Sequence, residues 1–489
     1  MKQLWQNILN IFSKTGPFLG LVTLLSIATR GIFLTKADIW HDEGYSAMII
    51  DESLGNIIAR TINDVHPPFY YLVLSVWQDI FGSSVVSLRG FSVACGVATV
   101  ILLYLLLRRL LPEQVAKIGA LLAAFGPFLV RYSDEVRMYS LAALLAVLST
   151  YLIVAALDKK TKRKWAWWLG YGLAMAAGLY TQYFFIFILP VHLVYALYIH
   201  QWSIKNMLKN KFWWFGNLVA GGLFLIWLPT MLAQMSRVQE GFWIPPMSID
   251  SISNTLSHFV LYNNSLTPIV GITLPIIAVV ISLTLLKKKF RPTIWLLAGW
   301  LALPIIAVSL LSLDRPVYID RYFTYSATAF YALLAAMIYA LSQKKTWLAP
   351  VLTASTLVLF SFGINNVGAV AWHRMGQTAE FVNQQYQDGD TIVSAELYTY
   401  FDFSYYNQTG SQIKLLSENP LGKYGEYSLL YDRPNIRVAD FADIESDRVW
   451  VVGKTGEKEY FTTGVPDSWT LVSHFSAGDS AANLYLVEN

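Results

Sequence analysis

The chain has 489 residues, of which 55% are hydrophobic and only 14% charged, and its mean hydropathy is +0.45. A composition this apolar excludes a string of soluble domains and predicts a multispanning α-helical membrane protein. The formal charge of +4 does not point to nucleic acid, because the basic residues fall in short clusters between apolar runs, and the single cysteine, Cys95, excludes an internal disulfide and zinc-type cysteine spacing.

Residues 1–14 are weakly basic and precede a run long enough to span, with no small-residue cleavage site, so the first helix is expected to be retained. Runs of spanning length follow at about 17–35, 88–107, 115–131, 137–157, 165–181, 183–199, 212–232, 268–286, 293–312, 322–341 and 347–364, which predicts about eleven membrane helices. The run 69–81 is too short to span, contains Gln78 and Asp79, and follows Pro67 and Pro68; it is expected to lie in the membrane interface. Leaving it out places Lys2 and Lys14, Arg108 and Arg109, Lys159 to Lys164, Lys205 to Lys211, Lys287 to Arg291, and Lys344 and Lys345 on one side, which the positive-inside rule makes cytoplasmic. The N-terminus is then cytoplasmic, and the external loop 36–87 belongs to a transmembrane domain of residues 1–364. Arg30 is the clear charge within a run, and near a helix end it is expected to snorkel.

From about residue 365 apolar runs shorten and Asp, Gly and Tyr rise, so residues 365–489 read as a small extracytoplasmic α/β or α+β domain. Helices are expected over 378–387 and 397–406, and strands over 391–395, 449–453 and 483–487. The domain has no glycine-rich phosphate loop and no nucleophile elbow.

The candidate chemistry lies in the external loops. Asp42 and Glu43, flanked by Trp40, His41 and Tyr45, open the first loop, which closes at His66, Pro67 and Pro68. Paired carboxylates are costly to hold at a membrane surface, which argues for a functional site, and the competing reading is a solvated loop with an ordinary acidic cap before a short helix. A second acidic pair, Asp134 and Glu135, sits between Arg131 and Arg137 in a short turn followed by Tyr139. Carboxylates there can act as a general base, and the competing reading is a set of interfacial anchors. His66 can orient a carboxylate, bind phosphate or ligate a metal. Arg315 and Arg321, followed by Tyr322, are candidates for gripping a phosphate bidentately. Loop 233–266, with Phe242, Trp243 and His258, reads as an amphipathic lid or as membrane-belt aromatics.

In order and spacing, the stretches DIWHDEGYS, HPPFYYLVLSVW, SLRGFSVACGVATVILLYLLLRRL, RYSDEVRMYSL and DRYFTYS resemble the integral-membrane C-type glycosyltransferases, specifically family 39 with the protein O-mannosyltransferases and lipid A aminoarabinose transferases. The resemblance implies transfer of a sugar, with inversion, from a polyprenyl-phosphate donor to a lipid, glycan or protein acceptor on the outer face of the plasma membrane. It implies a catalytic role for Asp42 with Glu43 as its partner, and for Glu135 as the second acid with Asp134 beside it. His66, Arg137, Tyr139, Arg315, Arg321 and Tyr322 are then substrate-binding candidates. A metal is not required, since arginines can neutralise a phosphate leaving group; if one is used, Asp42, His66 and Glu135 are its candidate ligands. The alternatives are a lipid-linked sugar flippase, which would show charged or broken helices at midplane and inverted repeats, and a membrane anchor for the C-terminal domain. The sequence shows neither of the transport features, and the anchor reading leaves the external acid clusters unexplained.

Overall fold

The structure is a computed structural model that describes residues 14–238, 244–262, 268–369, 373–455 and 460–487. Lys2, Phe242 and Trp243 lie outside the described residues. The chain forms two compact units: residues 1–32 with 89–368, and residues 33–88 with 369–489. The segment that the sequence reading attached to the membrane domain therefore shares a unit with the C-terminal residues.

The first unit is helical. Each of the eleven apolar runs coincides with a helix or a broken helix, from Thr15–Gly31 to Leu348–Ala369. Among the described residues, five helical stretches are long and apolar enough to cross a membrane: Val85–Leu110, Tyr139–Leu157, Lys288–Ser312, Asp320–Ser342 and Leu348–Ala369. Lys211–Leu225 and Leu228–Arg237, bent by 54° at a short break, make a sixth if taken together. Where helices pack most closely they meet at glycine, as expected where side-chain bulk limits approach: a Cβ on Gly172 would lie 2.5 Å from the Gly216 carbonyl oxygen of the neighbouring helix. The Thr324–Ser342 helix packs against Glu113–Phe125, Tyr139–Leu157, Pro268–Leu285 and Arg291–Ser312. Its buried Tyr331 and Tyr325 donate to the carbonyls of Phe259 and Phe184 at 2.8 and 2.9 Å, so the polar tips of two core aromatics are satisfied.

Arg30 departs from expectation: it is fully buried and does not snorkel. The cause lies one helix away. The Glu113–Phe125 helix stops at an extended Gly126, and Pro127 begins the short helix Pro127–Arg131. Proline has no N–H, so the carbonyl of Ala123 loses its ordinary partner four residues on. Arg30 donates to Ala123 O at 3.2 Å and Ala124 O at 3.0 Å, and its Nε donates to Ser133 Oγ at 3.2 Å. One guanidinium thus caps a broken helix and fixes the turn beyond it.

The second unit contains a mixed sheet of β1 (Thr391–Ser394), β2 (Lys414–Leu416), β3 (Arg437–Val438), β4 (Arg448–Lys454), β5 (Trp469–Ala477) and β6 (Ser480–Val487), in the order β3-β2-β1-β4-β6-β5. The first four run parallel, and β6 is antiparallel to both β4 and β5. Val393, Val449, Val451, Phe441, Trp469 and Tyr485 form its buried core. From the first segment come the helices His41–Ile50, Leu54–Asn63 and Phe69–Phe81; from the second come Met375–Gln385 and Leu397–Tyr406. Phe69–Phe81 has 13 residues and is a short helix, as its length in the sequence implied.

Candidate active site

In the second unit, Trp40 to Glu43 start the His41–Ile50 helix. The Glu43 carboxylate accepts from the Trp40 backbone N–H at 3.4 Å and is fully buried, so this acid occupies a helix-capping position. Asp42, at intermediate exposure, keeps its side chain nearer solvent; its backbone carbonyl accepts from Ser46 Oγ at 2.8 Å. The His41 imidazole is buried, with Nδ1 3.3 Å from the Tyr398 carbonyl oxygen and Nε2 2.8 Å from Glu426 Oε1. Burial works to lower the His41 pKa, but Glu426, Asp42 and Asp402 together raise it above the ordinary histidine value. Asp402 itself is almost wholly buried. Desolvation pushes its carboxyl up to about 7, against the pull of Lys454, whose Nζ lies 3.2 Å away. His66 pairs with the buried Asp64 at 3.5 Å.

The first unit holds the second acidic turn between Pro127–Arg131 and Tyr139–Leu157. Ser133 Oγ donates to Leu129 O at 2.6 Å and Ser140 Oγ to Tyr132 O at 2.7 Å, which fixes the turn from both ends. Glu135 is buried, with its Oε1 2.5 Å from Arg131 Nη2. Asp320 accepts from Tyr132 Oη at 3.3 Å and pairs with His258 Nδ1 at 2.8 Å. The Arg321 guanidinium stands 5.8 Å from the centre of the Tyr139 ring, and Tyr322 packs beside that ring at 6.5 Å. Arg137 is buried. Arg315 lies nearer the surface on Asp314 at 3.3 Å.

The structure therefore groups Arg131, Tyr132, Glu135, Tyr139, His258, Asp320, Arg321 and Tyr322 in one unit, and His41, Asp42, Glu43, Glu426 and Asp402 in the other. The sequence reading missed Glu426, Asp402 and Asp64 as site neighbours, and it left His258 and Asp320 without a role. His258 and Asp320 lie 62 residues apart, and Glu426 is far along the chain from His41, so no local spacing could have joined either pair. Arg89, buried in the Val85–Leu110 helix, was legible as a charge inside an apolar run and was passed over. Among the described residues, the donor atoms of His41, Asp42 and Glu426 all lie within 4.8 Å of one another. An imidazole and two carboxylates suit a divalent cation, and this set shares only Asp42 with the ligands expected from the sequence.

Residues 65–229 match the family described as dolichyl-phosphate-mannose-protein mannosyltransferase. Among solved structures, ArnT from Cupriavidus metallidurans in the apo state is 14% identical over 95% of this chain and 98% of its own, with a TM-score of 0.66. The same protein bound to undecaprenyl phosphate matches at 13% identity over 96% and 98%, also with a TM-score of 0.66. The Archaeoglobus fulgidus oligosaccharyltransferase in complex with Zn and sulfate is 12% identical over 89% of this chain and 68% of its own, with a TM-score of 0.54. No curated protein matches the sequence.

Proposed function

We propose, for a chain that has the C-type glycosyltransferase fold and carries the protein-mannosyltransferase signature over residues 65–229, that it transfers a sugar from a polyprenyl-phosphate donor to a lipid, glycan or protein acceptor, with inversion. The carrying observation is the near end-to-end agreement with a protein that binds undecaprenyl phosphate, together with an acid, Asp42, that keeps intermediate exposure while its neighbour Glu43 is consumed as a helix cap.

In this reading Asp42 is the general base that takes the acceptor proton as the sugar carbon is attacked, and the phosphate departs with its electron pair. Arg321 and Arg137 are the candidates for binding phosphate oxygens, which guanidinium grips bidentately. Glu135 pairs with Arg131 and orders the turn that presents Arg137 and Tyr139. His66, Asp134, Arg315 and Tyr322 remain substrate-binding candidates. A divalent cation, where the reaction uses one, would have His41, Asp42 and Glu426 as donors and would supply charge neutralisation of the leaving phosphate. We further propose about eleven spans, a cytoplasmic N-terminus, and residues 36–87 and 365–489 outside the plasma membrane.

Asp42→Asn deletes the base and preserves shape. Turnover of radiolabelled polyprenyl-phosphate sugars by purified protein should fall at least about 100-fold, with donor binding retained. Near-normal turnover would remove Asp42 from the base role.

A further inference from the structure

We propose that the face formed by residues 158–164 and 200–211 is a docking surface for the head groups of anionic phospholipids. Residues 158–164 carry five basic side chains against one acid, and residues 200–211 carry three against none. The one acid is already engaged, because the Asp158 carboxylate accepts from Arg109 at 3.1 Å. All of these cations are exposed except Lys164, which is half-buried. The two stretches stand together. Each leads into a helix, Lys164–Leu179 and Lys211–Leu225. These helices meet at Trp168 and Trp213, with ring centres 5.7 Å apart, and again at Gly172 and Gly216. Contacts that advance in the same sense along both helices make the pair parallel, and one turn back from the tryptophans brings Lys164 to the level of Lys209.

Three features go beyond a charge signal that merely orients the chain. The first is continuity with an exposed apolar strip. Trp165, Trp214 and Leu218, on the same two helices, are all exposed, as side chains against acyl tails are, so the cations sit at the head-group end of that strip. The second is backbone strain. The helix Ile188–Ile199 is followed by Gln201 and Trp202, both left-handed at φ 56° and 59°, a conformation that residues with a Cβ rarely adopt. It leaves the Trp202 indole 64% exposed, which suits tryptophan at a membrane–water boundary. Trp214 Nε1 donates to Leu208 O at 2.9 Å and so pins the loop that bears Lys205 and Lys209. The third is His200. Its Nε2 is buried with no hydrogen-bond partner among the described residues. Burial first, then Lys164 and Lys159, hold its pKa below the ordinary histidine value, so lysines of one stretch act on an imidazole of the other. A phosphodiester suits that group: it takes a hydrogen bond from the ring and offsets the charge of the ammonium groups. Attraction of this kind grows with each lysine held at an anionic surface.

Native mass spectrometry of the full-length protein in detergent, titrated with phosphatidylglycerol or phosphatidylcholine, tests this without any donor being turned over. The wild type should retain phosphatidylglycerol at about tenfold lower concentration than phosphatidylcholine. Replacing Lys159, Lys164, Lys205 and Lys209 together by glutamine should bring the two lipids within about twofold, whereas the same four changes to arginine should keep the preference. Equal retention of both lipids by the wild type overturns the proposal and leaves the lysines as orientation signals. So does a preference that survives in the glutamine variant. Displacement of phosphatidylglycerol by an equal concentration of inorganic phosphate also overturns it, since the face would then belong to a soluble anion. Trp202→Gly removes the indole while glycine adopts the left-handed conformation without strain; it should weaken phosphatidylglycerol retention with the thermal midpoint held, and undiminished retention overturns the assignment of this loop to the surface. Should the glutamine variant fail to insert, the wild type still decides the matter: phosphatidylglycerol carrying a head-group diazirine should label residues 158–164 and 200–211 on photolysis, and labelling confined to other segments overturns the proposal.

Discussion

Asp402 is a carboxyl held in an environment at odds with its chemistry. A carboxyl with an ordinary value of 3.8 that reaches about 7 in the folded protein holds its proton in the native state while the unfolded chain has lost it. The native state then binds more protons between about pH 4 and 7, so this group makes stability fall as pH rises through that window and level off above it. Asp402→Asn should flatten that part of the stability profile and raise the thermal midpoint at pH 8 relative to wild type; a variant with an unaltered slope from pH 4 to 7 would show that Lys454 already compensates the charge. Residue by residue, the acids and arginines of the loops were legible because charge in an apolar chain is conspicuous. Their partners were not. Asp402 reads in sequence as one polar residue in an aromatic helix, and what makes it unusual is burial supplied by other segments.

The helices were legible as elements because long apolar runs announce themselves, and all eleven found a helix. The breaks were less so. Pro127 signals an interruption, but which group satisfies the carbonyls it orphans depends on Arg30, about 95 residues earlier in the chain. Charge-assisted hydrogen bonds of this kind contribute about 1.5–3 kcal/mol each. Arg30→Leu should therefore lower the thermal midpoint of the purified protein and loosen the turn that carries Glu135, so that transfer falls with it. An unchanged midpoint would mean that water or a neighbouring hydroxyl satisfies Ala123 and Ala124 equally well. The strands divide in the same way. β1, β4 and β6 carry buried apolar residues and were read from the sequence. β2 and β3 have three and two residues, too short for periodicity to register, and β5 is mostly exposed after Trp469.

For the whole molecule, the proposed topology makes a direct claim. In a Cys95→Ser background, Glu418→Cys should react with an impermeant thiol reagent on intact cells and Lys162→Cys should not; the reverse labelling pattern would invert the orientation. Composition gave the membrane class, whereas the division into units escaped the sequence because the second unit is drawn from both ends of the chain. That division constrains how the protein is made. About 280 residues separate residue 88 from residue 369, and at ordinary rates of synthesis the ribosome needs roughly 15–55 s to cross them. For that interval the Asp42 helix exists without the strand sheet and the Leu397–Tyr406 helix against which it packs, with Tyr45 and the bare flank at Gly44 uncovered. A nascent chain in this state is a substrate for chaperones and proteases, and truncation anywhere before residue 397 leaves it so for good. Completion of the C-terminus thus doubles as a quality check, since a chain cut short cannot shield the helix that bears Asp42.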